Sequence, residues 1–145
     1  MRTAFVFPGQ GSQSVGMGKG FAESFLDEAN KILGFDLKQI VLEGLEEELK
    51  KTEIQQPAIF VVSVAAFHRY LTSNLQPDAV AGHSLGEYSA LYAAGVISFE
   101  EAVKIVHLRG KFMQEAVPLG EGAMAAVLGA ERKAVEEVCQ EVGNV

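Results

Sequence analysis

The sequence predicts an α/β fold built on a parallel β-sheet, because short apolar runs alternate along the chain with longer segments of helical periodicity. Residues 3–7 form a β-branched and aromatic run that Pro8 ends, and residues 79–82 form a second apolar run. Both runs are predicted to be core strands, and a third strand is predicted at residues 123–128.

Seven helical segments are predicted between and after these strands. They cover residues 21–33, 37–43, 45–51, 58–71, 86–94, 98–116 and 131–142. Pro57 suits the first turn of the fourth segment, which is apolar on nearly every side and is therefore predicted to be a buried helix. Ser98 and Glu101 have the spacing of a capping box at the start of the sixth.

The pattern indicates one main unit over residues 1–120 and an incomplete second unit over residues 121–145, with residues 118–122 as the linker. A lone strand and helix after a linker cannot bury a sheet face by themselves. Two convincing core strands are also few for a sheet with helices on both faces. We therefore expect the chain to be the N-terminal portion of a longer protein.

The composition excludes several classes of protein. The chain has 145 residues, 48% of them hydrophobic, and a net charge of −7 that argues against nucleic-acid binding. The mostly apolar stretch at residues 58–67 falls short of the ~18 residues that a membrane span needs. The single cysteine, Cys139, cannot form an internal disulfide. We expect a cytoplasmic protein that binds neither nucleic acid nor membrane, with no metal and no cofactor.

The segment Gly82-His83-Ser84-Leu85-Gly86 has the spacing G-x-S-x-G and lies between a predicted strand and a predicted helix. In such a nucleophile elbow the chain turns sharply at the serine, glycines on both sides relieve the crowding, and Oγ is exposed. Ser84 is therefore predicted to be an acyl-accepting nucleophile, with the backbone N–H of Leu85 facing the developing oxyanion. The alternative is that Ser84 only caps the following helix.

A serine hydroxyl needs a nearby base, which is usually histidine. His83 adjoins Ser84, so its ring should point away from Oγ at a sharp turn. His68 lies within the buried helix, and His107 is two residues before Arg109 and so faces another side of its helix. None of the three is predicted to be the catalytic base.

Four blocks together resemble the malonyl-CoA:acyl-carrier-protein transacylase family of fatty-acid biosynthesis. They are FVFPGQGSQ at residues 5–13, QQPA at 55–58, GHSLGEYSAL at 82–91 and RGKFMQEAVPLGEGAMAAVLG at 109–129. The resemblance covers essentially the whole chain. It implies a hydrolase-like parallel-sheet core, followed by the start of a small ferredoxin-like subdomain.

The resemblance also implies a role for particular residues. Ser84 would carry the malonyl group, and the backbone N–H groups of Gln10 and Leu85 would form the oxyanion hole. Arg109 would hold the free malonyl carboxylate, which a planar guanidinium matches with two parallel hydrogen bonds. Gln56 would line the acyl pocket. From the residues alone, the preferred interpretation of Arg109 is a surface helix residue paired with Glu87 or Glu115, and Phe112 and Met113 are expected in the core.

The implied enzyme is an S-malonyltransferase that moves a malonyl group from malonyl-CoA, its substrate, to the phosphopantetheine thiol of acyl carrier protein. The family's catalytic histidine lies in a later segment, so this chain alone is expected to be incomplete. That later portion, supplied as a second chain, is a candidate partner. Two other interpretations stay open, namely a serine hydrolase or esterase that shares the elbow, and a non-catalytic fragment that acts only with a partner chain.

Overall fold

The computed structural model describes residues 2–73, 76–117, 121 and 127–143, which form a mixed α/β structure with a parallel sheet. Strand β1 (Ala4–Phe7) pairs in parallel with strand β2 (Ala79–Gly82), in a register that places Ala4 opposite Ala79 and Phe7 opposite Gly82. Both strands were predicted from their apolar runs, and both predictions are confirmed.

Seven helices surround or follow these two strands in the described part of the chain. They are α1 (Glu23–Leu33), α2 (Leu37–Glu43), α3 (Glu46–Leu49), α4 (Thr52–Leu71), α5 (Gly86–Ala93), α6 (Phe99–Ala116) and α7 (Arg132–Val142). Each lies where a helical segment was predicted. No helix among them is long and apolar enough to cross a membrane.

Helix α4 is the centre of the core. Most residues of its middle turns are buried, with Phe60, Val61 and Val64 fully inaccessible to solvent. It packs against α6, α5 and α1, and the aromatic side chain of Phe67 reaches across to Phe5 and Phe7 of β1. The predicted buried helix is therefore confirmed.

The predicted start of α4 is wrong. The helix begins at Thr52, so Pro57 lies in its interior rather than in its first turn. A proline there has no N–H to donate to the carbonyl four residues earlier, which is that of Glu53. The Nδ1 atom of His107 lies 3.0 Å from that carbonyl oxygen and satisfies it, because Nδ1 is the donor in this contact.

Helix α6 begins with the predicted capping box. The hydroxyl of Ser98 accepts a hydrogen bond from the N–H of Glu101, and the Glu101 carboxylate accepts one from the N–H of Ser98 at 2.9 Å. Two of the four N–H groups that a helix start leaves unpaired are thus satisfied.

The predicted linker at residues 118–122 and the predicted strand at 123–128 fall mostly outside the described residues, and they stay predictions. The amphipathic helix predicted after them is confirmed as α7, although none of its residues is buried.

Candidate active site

Ser84 occupies a strained turn between β2 and α5. Its φ is +53°, and it is the one residue other than glycine with a positive φ in the described ranges. A left-handed conformation costs an L-residue roughly 1–2 kcal/mol. Such strain persists only where the surrounding structure imposes it. The turn leaves Ser84 exposed while Leu85, the next residue, is completely buried.

The two flanking glycines are there because the elbow has no room for side chains. A Cβ atom on Gly82 would overlap the backbone of Gly86, and a Cβ atom on Gly86 would overlap the carbonyl of Phe7. Alanine at either position would therefore force the backbone apart. This is the crowding that the G-x-S-x-G spacing predicts.

The end of β1 runs directly alongside the elbow. A Cβ atom on Gly9 would lie 2.6 Å from the carbonyl oxygen of His83 and 2.8 Å from its Nδ1 atom. The close approach that Gly9 permits brings the following residue, Gln10, to the same end of the sheet as Ser84.

Four of the predicted site residues form one hydrogen-bonded chain. Arg109 donates from Nη2 to Ser84 Oγ at 3.0 Å and from Nη1 to Gln56 Oε1 at 2.7 Å. Gln56, which is fully buried, in turn approaches Gln10 Oε1 with its Nε2 atom at 3.5 Å. Residues up to 99 positions apart in the sequence thus meet at the elbow.

The Arg109 guanidinium lies beside the nucleophile without a neutralising carboxylate. No carboxylate oxygen in the described part of the chain lies within 4.0 Å of it. Its Cζ atom lies 5.9 Å from the centre of the Tyr88 ring, a favourable position for a cation over an aromatic face. Neither surface pair considered from the sequence is formed: Glu87 makes no ion pair with Arg109, and Glu115 instead lies 3.9 Å from Lys111.

Ser84 is not the helix cap that the alternative interpretation required. The N-cap residue of α5 is Leu85, and no side chain caps this helix. The Ser84 hydroxyl instead accepts the hydrogen bond from Arg109, and it lies at the helix N-terminus, where partial positive charge favours anions.

The backbone N–H groups of Leu85 and Gln10, the predicted oxyanion-hole pair, have no hydrogen-bond acceptor within the described residues, whereas the N–H of Gly86 is bonded to the carbonyl of His83. An oxyanion hole needs N–H groups that are free to bind a substrate oxygen, so both groups are available for this role, which stays a prediction.

The three histidines are engaged away from the Ser84 hydroxyl. His68 Nε2 lies 2.7 Å from the hydroxyl of Tyr92, and burial, with a smaller effect of the Glu28 charge, raises the pKa of that tyrosine. His107 holds the Glu53 carbonyl, and the His83 ring lies against Gly9.

Sequence reasoning missed one contributor, Tyr88, and misplaced two, Met113 and Phe112, which were both expected in the core. Tyr88 lies in the first turn of α5, four residues after Ser84, and this closeness to the elbow could have placed it beside the site. Met113 Sδ lies 3.1 Å from Gln56 Nε2 and so borders the site. Phe112, expected in the core, is 61% exposed because the buried face of α6 passes through Val103, Val106 and Gly110 instead.

The fold and the strained serine define a protein of the class built around a nucleophile elbow, with the serine between a parallel strand and a helix. The acyl transferase domain family matches residues 4–143, and the chain belongs to this family.

Within it, the chain is similar to malonyl CoA-acyl carrier protein transacylases, as the four sequence blocks predicted. It is 49% identical to the one of Bacillus subtilis (strain 168) over 97% of its own length and 46% of the relative's. It is 50% identical to the one of Escherichia coli (strain K12), over 97% of this chain and 48% of the relative.

A solved structure of a malonyl-transacylase, in complex with a type II PKS acyl-carrier protein, superimposes with a TM-score of 0.89 at 46% identity. The match covers 99% of this chain and 49% of that one. The chain therefore spans about half the length of the relatives it matches.

Proposed function

We propose that this chain supplies the nucleophile and the acyl-group site of a malonyltransferase. The malonyl group passes from malonyl-CoA to Ser84 and then to the phosphopantetheine thiol of acyl carrier protein. The observation that carries this proposal is the Arg109 guanidinium, which lies 3.0 Å from Ser84 Oγ with no carboxylate beside it among the residues described.

A cation in this position suits an acyl group that itself ends in a carboxylate. When the malonyl group is attached to Ser84, its free carboxylate accepts hydrogen bonds from Arg109. The carboxylate then replaces Ser84 Oγ as the acceptor of the hydrogen bond from Nη2. Gln56 keeps the guanidinium oriented through Nη1. A neutral acetyl group would leave the half-buried guanidinium without a carboxylate partner, at a cost of about 1–3 kcal/mol.

The first half-reaction forms an ester. Ser84 Oγ attacks the thioester carbonyl of malonyl-CoA, its proton goes to a base, and the carbonyl oxygen becomes an oxyanion that the N–H groups of Leu85 and Gln10 stabilise. The tetrahedral intermediate then collapses and the C–S bond breaks. The sulfur of coenzyme A takes the proton from the base, and coenzyme A leaves as a thiol.

The second half-reaction reverses these steps with a different thiol. The phosphopantetheine thiol attacks the malonyl ester, the same N–H groups stabilise the oxyanion, and Ser84 Oγ leaves and is reprotonated. No net oxidation occurs, and the only species consumed are the thioester and the thiol.

The base is the part of this reaction that the chain's own histidines do not supply. All three are described, and each contacts other groups. The hydrogen-bond partner of Ser84 Oγ is an arginine, which cannot accept a proton. We infer that this chain alone acylates slowly, and that a base from further polypeptide completes the site.

The two alternative interpretations differ in what they would need. A hydrolase of neutral esters has no use for an unpaired cation beside its nucleophile, so Arg109 disfavours it. The placement of the histidines favours the non-catalytic fragment for this chain taken alone.

We also propose, from the lack of any buried residue in α7, that residues 121–145 begin a second small subdomain. We place the reaction in the cytoplasm, as the single cysteine suggests.

The test is to determine which molecule finally accepts the malonyl group. The chain is incubated with malonyl-CoA and phosphopantetheinylated acyl carrier protein, with imidazole added as the base, and both proteins are weighed by mass spectrometry. We expect a malonyl thioester to form on the carrier protein. None should form when the Ser84→Ala variant is used instead of the unmodified chain. Release of the group as free malonate, with an unmodified carrier protein, would make the chain a hydrolase.

A further inference from the structure

The loop between β1 and α1 carries Gln10, whose backbone N–H is predicted to bind the oxyanion, on a segment with few backbone contacts. Within the described ranges, no backbone-to-backbone hydrogen bond involves residues 8–13. Glycines stand on both sides of Gln10, and Gly11 has a φ of +99°. Glycine leaves the backbone freer than any other residue does. A single orientation of Gln10 therefore has to come from other contacts.

The loop is fixed on either side of this segment. Gly9 is buried against the elbow, where a Cβ atom on it would lie 2.6 Å from the carbonyl oxygen of His83. Further along the loop, the N–H of Gly16 donates to the carbonyl of Val41 at 2.8 Å. Between these two anchors, residues 10–13 have to be ordered by their own side chains.

Two side chains of this segment bond to its backbone. Ser12 Oγ donates to the carbonyl of Gly9 at 2.8 Å, and the N–H of Gly11 donates to Gln13 Oε1 at 3.0 Å. The carbonyl of Gly9 and the N–H of Gln10 belong to one planar peptide group, and the N–H of Gly11 belongs to the next. Ser12 and Gln13 therefore each hold one of the two peptide groups that flank the Cα atom of Gln10.

The first of these peptide groups determines where the predicted oxyanion donor points. No cis peptide bond occurs among the residues described, so the C=O of Gly9 and the N–H of Gln10 point in opposite directions. Because the carbonyl is held toward the Ser12 hydroxyl, the N–H is directed away from that hydroxyl. Gln10 is exposed, which leaves this N–H accessible to a substrate oxygen.

We propose that Ser12 is a positioning residue, which turns the Gln10 N–H toward the place where the oxyanion forms and holds it there. Gln13 supports this orientation by fixing the next peptide group. The inference rests on the acyl transfer proposed above. A donor stabilises an oxyanion best when it is oriented beforehand, because no reorganisation is then needed during the reaction. Ser12 thus acts through Gln10 rather than by touching the acyl group.

The first measurement needs no substrate. Magnetic resonance relaxation gives the order parameter of the Gln10 N–H, which we expect to be near the rigid-backbone value of about 0.85 in the unmodified chain and lower in Ser12→Ala. Ser12→Thr keeps the hydroxyl and should restore the value. The matched control is Ser14→Ala, because Ser14 is an exposed residue of the same loop whose hydroxyl is not among the groups that hold Gln10.

The second measurement is the acylation of Ser84 by malonyl-CoA, with imidazole as the base. Single-turnover kinetics separate the rate constant of acylation from the affinity for malonyl-CoA. We expect Ser12→Ala to lower the rate constant roughly two- to tenfold, the effect of one neutral hydrogen bond, and to leave the affinity unchanged. Removal of an oxyanion donor itself would cost about 10²–10³-fold. Ser12→Thr should restore the rate constant, Ser14→Ala should not change it, and urea unfolding checks that each variant is folded.

Three results would overturn the proposal. One is an unchanged order parameter of the Gln10 N–H in Ser12→Ala. The second is an equal loss of rate in Ser12→Ala and Ser14→Ala, which a general loosening of the loop would produce. The third is a loss confined to the affinity for malonyl-CoA. If the unmodified chain is not acylated, the proposed acyl transfer fails, and the order parameter alone then confirms or overturns the orienting role of Ser12.

Discussion

At the scale of single residues, the conformation of Ser84 is maintained against its own preference. The left-handed φ of +53° suits glycine, yet a hydroxyl is needed at this position for the proposed chemistry. The strained conformation of Ser84 therefore lowers the free energy of unfolding while it keeps the hydroxyl exposed. This loss of stability can be measured without any substrate.

We predict that Ser84→Gly is more stable than Ser84→Ala by about 1 kcal/mol, because both lose the hydroxyl and only glycine relieves the left-handed strain. Urea unfolding of the two variants measures the difference. The control is Ala94→Gly, at a residue with an ordinary φ of −80°, which should not stabilise the protein. Equal stability of the two Ser84 variants would show that the elbow is not strained.

Arg109 is predicted to set the choice of acyl group. In a competition between malonyl-CoA and acetyl-CoA, Arg109→Gln should lower the ratio of malonyl to acetyl adduct on Ser84 by roughly five- to 150-fold, the equivalent of ~1–3 kcal/mol. Arg69→Gln is the matched control, because that guanidinium lies over the Phe21 ring, in a different part of the fold. An unchanged ratio in Arg109→Gln would remove Arg109 from the acyl site.

At the scale of helices, α4 and α6 are joined where the site is assembled. His107 bonds the Glu53 carbonyl, and a Cβ atom on Gly110 would lie 2.5 Å from the Thr52 carbonyl oxygen. Arg109, between these two residues of α6, bonds Gln56 of α4. The close approach of the two helices therefore fixes the spacing of the guanidinium and the glutamine.

The effect of His107 on stability should depend on Pro57. His107→Leu leaves the Glu53 carbonyl unsatisfied, but in a Pro57→Ala background the restored N–H of residue 57 can bond that carbonyl. We therefore expect a double-mutant cycle in urea to give a coupling of about 0.5–1.5 kcal/mol between the two positions. Additive effects of the two substitutions would show that His107 does not replace the missing helix bond.

The capping box of α6 should show a defined pH dependence. The hydrogen bond from the Ser98 side chain, and then that from its backbone, hold the pKa of Glu101 below its usual value. A lowered pKa in the folded state means that the carboxylate stabilises the fold above its unfolded pKa, and that this stability is lost as the pH falls through the folded pKa. Ser98→Ala should cost about 1 kcal/mol at neutral pH.

Unfolding by urea at several pH values tests this prediction. The stability difference between the chain and Ser98→Ala should narrow as the solution becomes acidic. A difference that stayed constant, or that grew in acid, would mean that the Glu101 carboxylate takes no part in the cap.

These helices also show what the sequence can and cannot predict. The capping box and the strand-to-helix elbow are local patterns, so residue types at fixed spacing were enough to place them. The start of α4 was misplaced because proline at a helix start is only a preference, and here a histidine 50 positions away satisfies the carbonyl that the proline leaves free. The exposure of Phe112 depends on how α6 is rotated against α4, which its own sequence does not specify.

The candidate site was predicted from the family resemblance more than from local pattern. Ser84, Arg109 and Gln56 are far apart in the sequence, and no periodicity relates them. The structure brings their side chains together, while their catalytic roles stay predictions.

At the scale of the whole molecule, the sheet and the site are incomplete in corresponding ways. The sheet has an uncovered face and an open edge, and the described residues place the proposed nucleophile, Ser84, beside a cation with no base bonded to it. The chain spans about half the length of its relatives.

The central claim is that Ser84 accepts a malonyl group. The most direct test is the intact mass of the chain before and after incubation with malonyl-CoA, without imidazole and with it. We predict a slow gain of one malonyl group that imidazole accelerates and Ser84→Ala abolishes, with peptide mapping placing the group on Ser84. An unmodified chain in the presence of imidazole, or a malonyl group that persists in Ser84→Ala, would contradict the account.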